Sequence, residues 1–191
     1  MQSKSELRSY LRKQRQIFEK QQKLSFFDSA SDRPEWLDLL DRHHVIAGYL
    51  AVGSEVNITA MMEWLDASGK AVALPAVADR AAPLAFRHWT PGDPLETASF
   101  GFLQPLAAAQ QAVPTLILVP LVGFDRAMNR LGQGAGHYDR AFHSLPQALR
   151  VGIAWSVQEV AQLPIDPWDV PLDAVLTEKE WISAADSRIE I

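Results

Sequence analysis

The sequence contains no cysteine among its 191 residues. Disulfide frameworks, thiolate zinc sites and cysteine nucleophiles are therefore excluded. Long hydrophobic runs are also missing: the longest apolar stretches, Val45–Val52 and Val113–Val122, are shorter than the roughly 20 residues of a membrane-spanning helix. The N-terminal segment is polar and lacks the apolar core of a secretory signal. We therefore expect a cytoplasmic protein that has no membrane partner.

An excess of positive charge is absent as well. The chain has 18 Lys and Arg against 23 Asp and Glu, a formal charge of −5, which argues against a nucleic-acid partner. The cations that are present cluster near the start, where residues 1–23 contain seven Lys and Arg and two Glu. At helical spacing Lys4, Arg8, Arg12 and Arg15 form one stripe. This stripe is either a solvated helix face or a strip that faces an anion such as a polyphosphate.

Apolar and polar segments alternate along the chain. Their periodicity predicts helices over residues 4–23, 35–43, 58–68, 138–149 and 178–185. It predicts strands over 44–52, 71–75, 115–119, 151–155 and 174–177, with short strands and turns between 84 and 105. Strands that alternate with helices indicate an α/β fold with a doubly wound, mostly parallel sheet and helices on both faces, a three-layer sandwich. We expect residues 1–191 to form one such domain.

The segment between the strand predicted at 115–119 and the next helix is rich in glycine. Gly132, Gly134 and Gly136 alternate there, so that successive amides can curve around an anion beside a helix N-terminus. The spacing is not the G-x-G-x-x-G of dinucleotide-binding folds, and the G-K-[ST] of a P-loop is missing. The loop predicts a phosphate site, strengthened by four charged neighbours, Asp125, Arg126, Arg130 and Arg140. A tight turn without a ligand is the alternative.

Three carboxylates are further candidates. Asp139 either complements the dipole of the predicted helix or holds Mg²⁺ together with substrate phosphates. Asp173 is either its metal partner or a turn residue. Glu55 follows an apolar strand, where it either begins a helix or contacts a ligand. Three aromatic residues either line a slot for a flat ring or belong to the core: Trp89, Phe100 and Phe102.

The segment FDRAMNRLGQGAGHYDR (124–140) resembles the signature of the 5-formyltetrahydrofolate cyclo-ligase family, also called 5,10-methenyltetrahydrofolate synthetases. Four other stretches are similar to family segments in the same order: KSELR (4–8), YLAVGSEVNI (49–58), FRHWTPGDPLETASFGFLQP (86–105) and VPLDAVLTE (170–178). The similarity spans nearly the whole chain. The sequence departs from residues that are common in the family at Ala135, His137 and Gln104.

This resemblance implies a ligase that uses ATP and Mg²⁺ to cyclise 5-formyltetrahydrofolate to 5,10-methenyltetrahydrofolate, with release of ADP and phosphate. It implies catalytic roles for Glu55 and Arg130, and magnesium at Asp139 and Asp173. The implied ATP contacts are Lys4, Arg8, Arg130, Leu131, Gly132, Gln133, Gly134, Ala135, Gly136, His137 and Tyr138. The implied folate contacts are Leu50, Glu55, Gln133, Gly134, Ala135, Gly136 and His137. We expect a monomer.

Two other functions are compatible with a phosphate-binding loop on this sheet. One is a regulatory domain that binds a nucleotide or a sugar phosphate without catalysis. The other is a phosphosugar isomerase, which needs no ATP. Neither of these alternatives requires Glu55, Asp139 and Asp173 together.

Overall fold

The computed structural model describes residues 3–23, 25–77, 84–98, 101–184 and 188–189. The helices are α1 (Lys4–Glu19), α2 (Phe26–Ala30), α3 (Pro34–Asp41), α4 (Thr59–Ala67) and α5 (His137–Ser144). The strands are β1 (Val45–Ala47), β2 (Ala71–Ala76), β3 (Ala85–His88), β4 (Leu95–Thr97), β5 (Leu103–Pro105), β6 (Gln111–Ala112), β7 (Leu116–Pro120), β8 (Gly123–Phe124), β9 (Arg130–Leu131), β10 (Leu149–Ile153), β11 (Ala174–Leu176) and β12 (Trp181–Ser183).

Eight of these strands form the main sheet, in the order β12-β11-β10-β7-β1-β2-β3-β6. The five central strands are parallel, and β12, β3 and β6 are antiparallel to their neighbours. The connection from β1 leads to β2 on one side, whereas the connection from β7 leads to β10 on the other. The order of the strands therefore reverses between β1 and β7, and the predicted doubly wound α/β fold is confirmed.

Side chains of the central strands point alternately to the two faces, because successive residues of a strand do so. In β7, Leu116 and Leu118 join the apolar cluster that α2, α3 and α4 cover. The intervening Ile117 and Val119 join the cluster on the opposite face, which includes Phe142 of α5. The helices of the β1–β2 and β7–β10 connections thus lie on opposite faces, as right-handed crossovers that lead in opposite directions require.

Helix α1 packs over the loops that follow β7. Its N-cap is Ser3, whose side chain accepts a hydrogen bond from the Glu6 amide, and Glu6 returns a bond to Ser3. These reciprocal bonds form the capping box that begins many helices. On the buried side of α1, Leu7 and Leu11 form a small cluster with Val122, Leu131 and Leu163. This packing presents the cationic stripe of α1 to the loops at the carboxyl ends of the parallel strands.

Two sequence predictions of local structure are wrong. The predicted helix 178–185 is instead the antiparallel strand β12 over its described part, because Ile182 pairs with Val175 of β11; Ala185 lies outside the described residues. The polar stretch 25–33 contains the short helix α2, whose N-cap Ser25 accepts a bond from the Asp28 amide. Among the residues that the structure describes, no helix combines the length and the apolar character needed to cross a membrane.

Candidate functional site

A cavity of about 1190 Å³ opens at the carboxyl ends of the central strands. Tyr49 and Leu50, which follow β1, line it together with Pro120 at the end of β7 and Pro75 in β2. In doubly wound sheets, ligands bind outside the carboxyl ends of the strands, where the strand order reverses. The cavity therefore occupies the position at which this fold places a binding site.

The glycine loop, residues 132–136, forms part of the cavity wall. Gly134 and Gly136 have φ angles of 108° and 66°, in the region that residues with a Cβ rarely adopt. Gly132 is required for a different reason, because a Cβ there would lie 2.5 Å from Nη1 of Arg130. Gly136 is also the N-cap of α5, so the loop ends at a helix N-terminus that favours an anion. This geometry fits the predicted phosphate site.

Arg130 and Asp139 form an ion pair beside the glycine loop, and both line the cavity. Arg130 Nη2 lies 2.8 Å from Asp139 Oδ1, with side-chain exposures of 6% and 18%. The guanidinium carbon lies 5.8 Å from the ring centre of Tyr138 and 5.6 Å from that of Phe142, which adds a cation–π attraction. The structure thus offers the cavity a fixed cation whose charge is shared with one carboxylate.

The cationic stripe of α1 faces the glycine loop. Four of its cations line the cavity: Lys4, Arg8, Arg12 and Arg15. Arg8 Nε donates a hydrogen bond of 2.8 Å to the carbonyl oxygen of Gly132, and Arg12 Nε donates one of 3.1 Å to Oε1 of Gln133. Of the two alternatives that the sequence left open, the structure favours the strip that faces a site over a solvated face.

Glu55 is buried at the cavity and is tied to the glycine loop. Its carboxylate accepts a 3.0 Å bond from the amide of Val52 and a 2.7 Å bond from Nε2 of Gln133. Burial, and then the negative charge of Glu55, raise the pKa of the Tyr49 and Tyr138 hydroxyls above its usual value. Both phenols therefore stay protonated beside a carboxylate that stays in one orientation.

Sequence reasoning missed a second group of cavity residues, which comes from the segment Pro164–Pro171. Asp166, Trp168 and Asp169 line the cavity beside Lys4. Lys4 Nζ lies 2.7 Å from Asp166 and 2.6 Å from Asp169. Burial lowers the pKa of Lys4, but the hydrogen bonds to the two carboxylates outweigh it and the pKa is raised overall. The signal in the sequence was two aspartates and an indole between prolines.

Asp173 is the one expected site residue that the structure leaves out of the cavity lining. It precedes β11 and therefore lies at the amino end of the parallel strands. Arg188 donates bonds of 2.8 Å to both of its oxygens, and the amide of Arg150 donates another of 2.8 Å. The structure therefore does not bring Asp139 and Asp173 together as a magnesium pair. It gives Asp173 the role of joining Arg188 to the start of β10.

Other charged residues near the glycine loop hold the loop rather than line the cavity. The buried carboxylate of Asp125 accepts hydrogen bonds from the amides of Ala127, Asn129 and Leu163. Arg140 Nη1 donates a 3.1 Å bond to the carbonyl oxygen of Ala135. Arg126 points elsewhere, because it pairs with Glu159 and Glu180 on the surface. Of the three arginines that the sequence suggested, only Arg130 lines the cavity.

The aromatic candidates separate in the same way. Trp89 is buried in the core cluster of the α2–α4 face, whereas Phe102 lines the cavity; Phe100 lies outside the described residues. Gln104, one of the departures from the family pattern, is buried where it accepts a 2.9 Å bond from the Val77 amide and donates a 3.0 Å bond to Glu96. A carboxylate in its place would face Glu96 without a proton to donate, so the amide suits this position.

Comparison with known proteins agrees with this site. The sequence profile of the 5-formyltetrahydrofolate cyclo-ligase family matches residues 1–178. A 5-formyltetrahydrofolate cyclo-ligase of Haemophilus influenzae is 32% identical over 149 residues, which cover 73% of this chain and 80% of that protein. One of Mycolicibacterium smegmatis is 34% identical over 148 residues, 73% of this chain and 76% of that protein. The solution structure of a 5,10-methenyltetrahydrofolate synthetase of Aquifex aeolicus superposes with a TM-score of 0.74 at 28% identity, covering 98% of this chain and 96% of that one.

Proposed function

The chain belongs to the 5-formyltetrahydrofolate cyclo-ligase family, and from this premise we propose that it converts 5-formyltetrahydrofolate to 5,10-methenyltetrahydrofolate, with ATP as the phosphoryl donor and with Mg²⁺. It is a ligase of folate metabolism. The observation that carries the proposal is one cavity in which the glycine loop and the α1 cations face Glu55. A regulatory phosphate-binding domain needs the loop but has no use for a buried carboxylate fixed opposite to it.

The chemistry asks for positioning and charge neutralisation more than for a protein nucleophile. The formyl oxygen of the substrate takes the γ-phosphoryl group of ATP, and ADP leaves. The second folate nitrogen then attacks the activated formyl carbon, the bond from that carbon to the phosphorylated oxygen breaks, and phosphate leaves. Phosphoryl transfer of this kind depends on oriented donors and cations around the phosphate oxygens. A glycine loop at a helix N-terminus supplies such donors.

The cavity has two chemically different ends, and we assign one substrate to each. Lys4, Arg8 and Arg130 lie with the glycine loop at the cationic end, where they would bind the phosphates of ATP. Leu50 and Glu55 lie beyond Gln133, where they would contact the folate. Because Gln133 donates to Glu55 and belongs to the glycine loop, it stands between the two substrates. Glu55 would orient the folate ring or carry a proton.

The carboxylates fit Mg²⁺ only as a partial ligand set. Within the described ranges, no group of three or more His, Asp and Glu side chains is arranged to hold a metal ion. Mg²⁺ commonly takes one or two carboxylates and completes its shell with phosphate oxygens and water. Asp139 lines the cavity beside the glycine loop and fits this role, with Asp166 and Asp169 as further carboxylates of the same cavity. When bound, Mg²⁺ would neutralise charge on the ATP phosphates.

The test is to mix the purified protein with 5-formyltetrahydrofolate and MgATP and follow the near-ultraviolet absorbance of the methenyl product. We expect the absorbance to rise only when ATP and Mg²⁺ are both present. Folded protein that gives no rise under these conditions would contradict the proposed function. A rise without ATP would contradict the co-substrate and leave the family assignment intact.

A further inference from the structure

A second groove continues from the cavity along α1. It has a volume of about 580 Å³ and shares Arg12, Gly53 and Ser54 with the cavity. Beyond these shared residues, the wall that α1 contributes carries Lys13 and Lys20. The groove therefore begins next to Glu55, at the folate end of the cavity, and leads away from Lys4 and Arg8.

The charge of this groove is positive and accessible. Arg12, Lys13 and Lys20 are all exposed, and Glu19 is the single acidic side chain in the lining. Arg12 and Lys20 lie eight residues apart on the same side of the helix. At 1.5 Å per helical residue they are roughly 12 Å apart along its axis, a length that exceeds one glutamate residue. The groove thus offers an anion more than one cationic contact in succession.

The proposed substrate carries a matching anion. A folate ends in a glutamate whose carboxylates must leave the cavity once the ring lies beside Glu55, and folates can carry further glutamates in γ-linkage. Each added glutamate contributes one carboxylate. We propose that the α1 groove, defined by Arg12, Lys13, Lys20, Gly53 and Ser54, binds the glutamyl tail of the folate and favours substrates with γ-linked glutamates. This inference rests on the proposed function.

Helix α1 then serves both substrates with one row of cations. Its first two turns bring Lys4 and Arg8 to the phosphate end, and its later turns bring Lys13 and Lys20 to the folate tail. Arg12 lies between them and donates to Gln133 of the glycine loop. The excess of positive charge in the first 23 residues of an otherwise acidic chain is explained by two anionic ligands.

The test compares 5-formyltetrahydrofolate monoglutamate with its γ-linked triglutamate. In the unaltered enzyme we expect a KM for the triglutamate that is at least threefold lower. Lys13→Glu and Lys20→Glu should each raise the KM of the triglutamate at least threefold, with smaller effects on the monoglutamate and with kcat and the KM of ATP unchanged. Exposed ion pairs have energies of this size. Higher ionic strength should reduce the preference, because salt screens exposed charges.

Lys179→Glu is the matched control, since it makes the same charge change at an exposed residue in the turn between β11 and β12, outside both lining sets. An identical ratio of the two KM values in the unaltered enzyme and in both groove variants would overturn the proposal. If the protein turns over neither folate, the proposed function fails by itself. Calorimetric titration with the two folates then measures the same ratio as dissociation constants, and equal constants would overturn the groove assignment.

Discussion

At the scale of single residues, Asp139 and Asp173 have the same side chain in different surroundings. Asp139 lines the cavity and pairs with Arg130, whereas Asp173 lies at the amino end of β11 and pairs with Arg188. We expect Asp139→Asn to lower kcat at least tenfold, because it removes the carboxylate that would stand beside the ATP phosphates. Its effect on stability should be small, since the amide oxygen can still accept a bond from Arg130.

Asp173→Asn should have the opposite pattern. The substitution weakens two charge-assisted bonds to Arg188, of which the arginine is 39% exposed, so we expect a loss of about 1–2 kcal/mol in the free energy of unfolding. Steady-state kinetics and urea denaturation of the two variants measure both effects. Equal loss of kcat in both variants would contradict the separation of the two aspartates and would return Asp173 to the site.

The side chains that sequence reasoning named correctly were those that share a short segment with the glycine loop. Arg130, Gln133 and Asp139 lie within ten residues, so a local pattern includes them all. Asp166 and Asp169 escaped notice because their link to the site is the ion pair with Lys4, at the other end of the chain. No local pattern encodes a contact over such a sequence separation.

At the scale of elements, α1 couples packing to binding. Leu11 is 1% exposed and packs with Leu7 and Val122 beneath the helix, while Arg8 and Arg12 face the glycine loop. Leu11→Ala should lower the free energy of unfolding by about 2–5 kcal/mol, as other large-to-small core substitutions do. Because the cavity it leaves lies directly beneath the cationic stripe, we also expect the KM of ATP to rise at least fivefold.

Leu65→Ala in α4 is the matched control for this change. Leu65 is fully buried, so the cost in stability should be similar, but α4 contributes no residue to the cavity lining. Denaturation and steady-state kinetics at a temperature where both variants are folded separate the two effects. A similar rise of the KM of ATP in both variants would show that stability alone, and not the seating of α1, sets the affinity.

The elements that the sequence predicted correctly are those whose own periodicity agrees with their packing, such as α1 and β7. The error at β12 has a clear cause. The residues before Trp181 are charged and favour a helix locally, yet the buried side chain of Ile182 gains more by pairing with Val175 at the edge of the sheet. Tertiary pairing outweighs local preference in such short segments.

At the scale of the whole molecule, the site exists because the strand order reverses between β1 and β7. Alternation of strands and helices predicted a parallel sheet, but it did not predict which strands are neighbours. That order brings Leu50 and Glu55, which follow β1, to the same opening as Pro120 at the end of β7. The register of the sheet also places Asp173 at the amino edge, which the spacing of residues along the chain could not show.

The stability of the whole molecule should depend on pH through two histidines. Burial, and then neighbouring cations, lower the pKa of His43 and His137 below the ordinary value of 6.5. The unfolded chain therefore binds more protons than the folded protein in the range just below 6.5, and the free energy of unfolding should fall as the pH falls through that range. We expect urea midpoints to decrease between about pH 7.5 and about pH 5.5.

The double variant His43→Gln and His137→Gln isolates this effect. Glutamine does not titrate, so the variant should lose most of the decrease while it retains whatever loss the carboxylates cause at lower pH. The pKa values of Glu6 and Glu180 are lowered from 4.5 in the folded protein, so their contribution is lost only as the pH falls further. A double variant with the unaltered protein's full decrease above pH 5.5 would assign the effect to other groups, whereas a flat response would assign it to these two imidazoles.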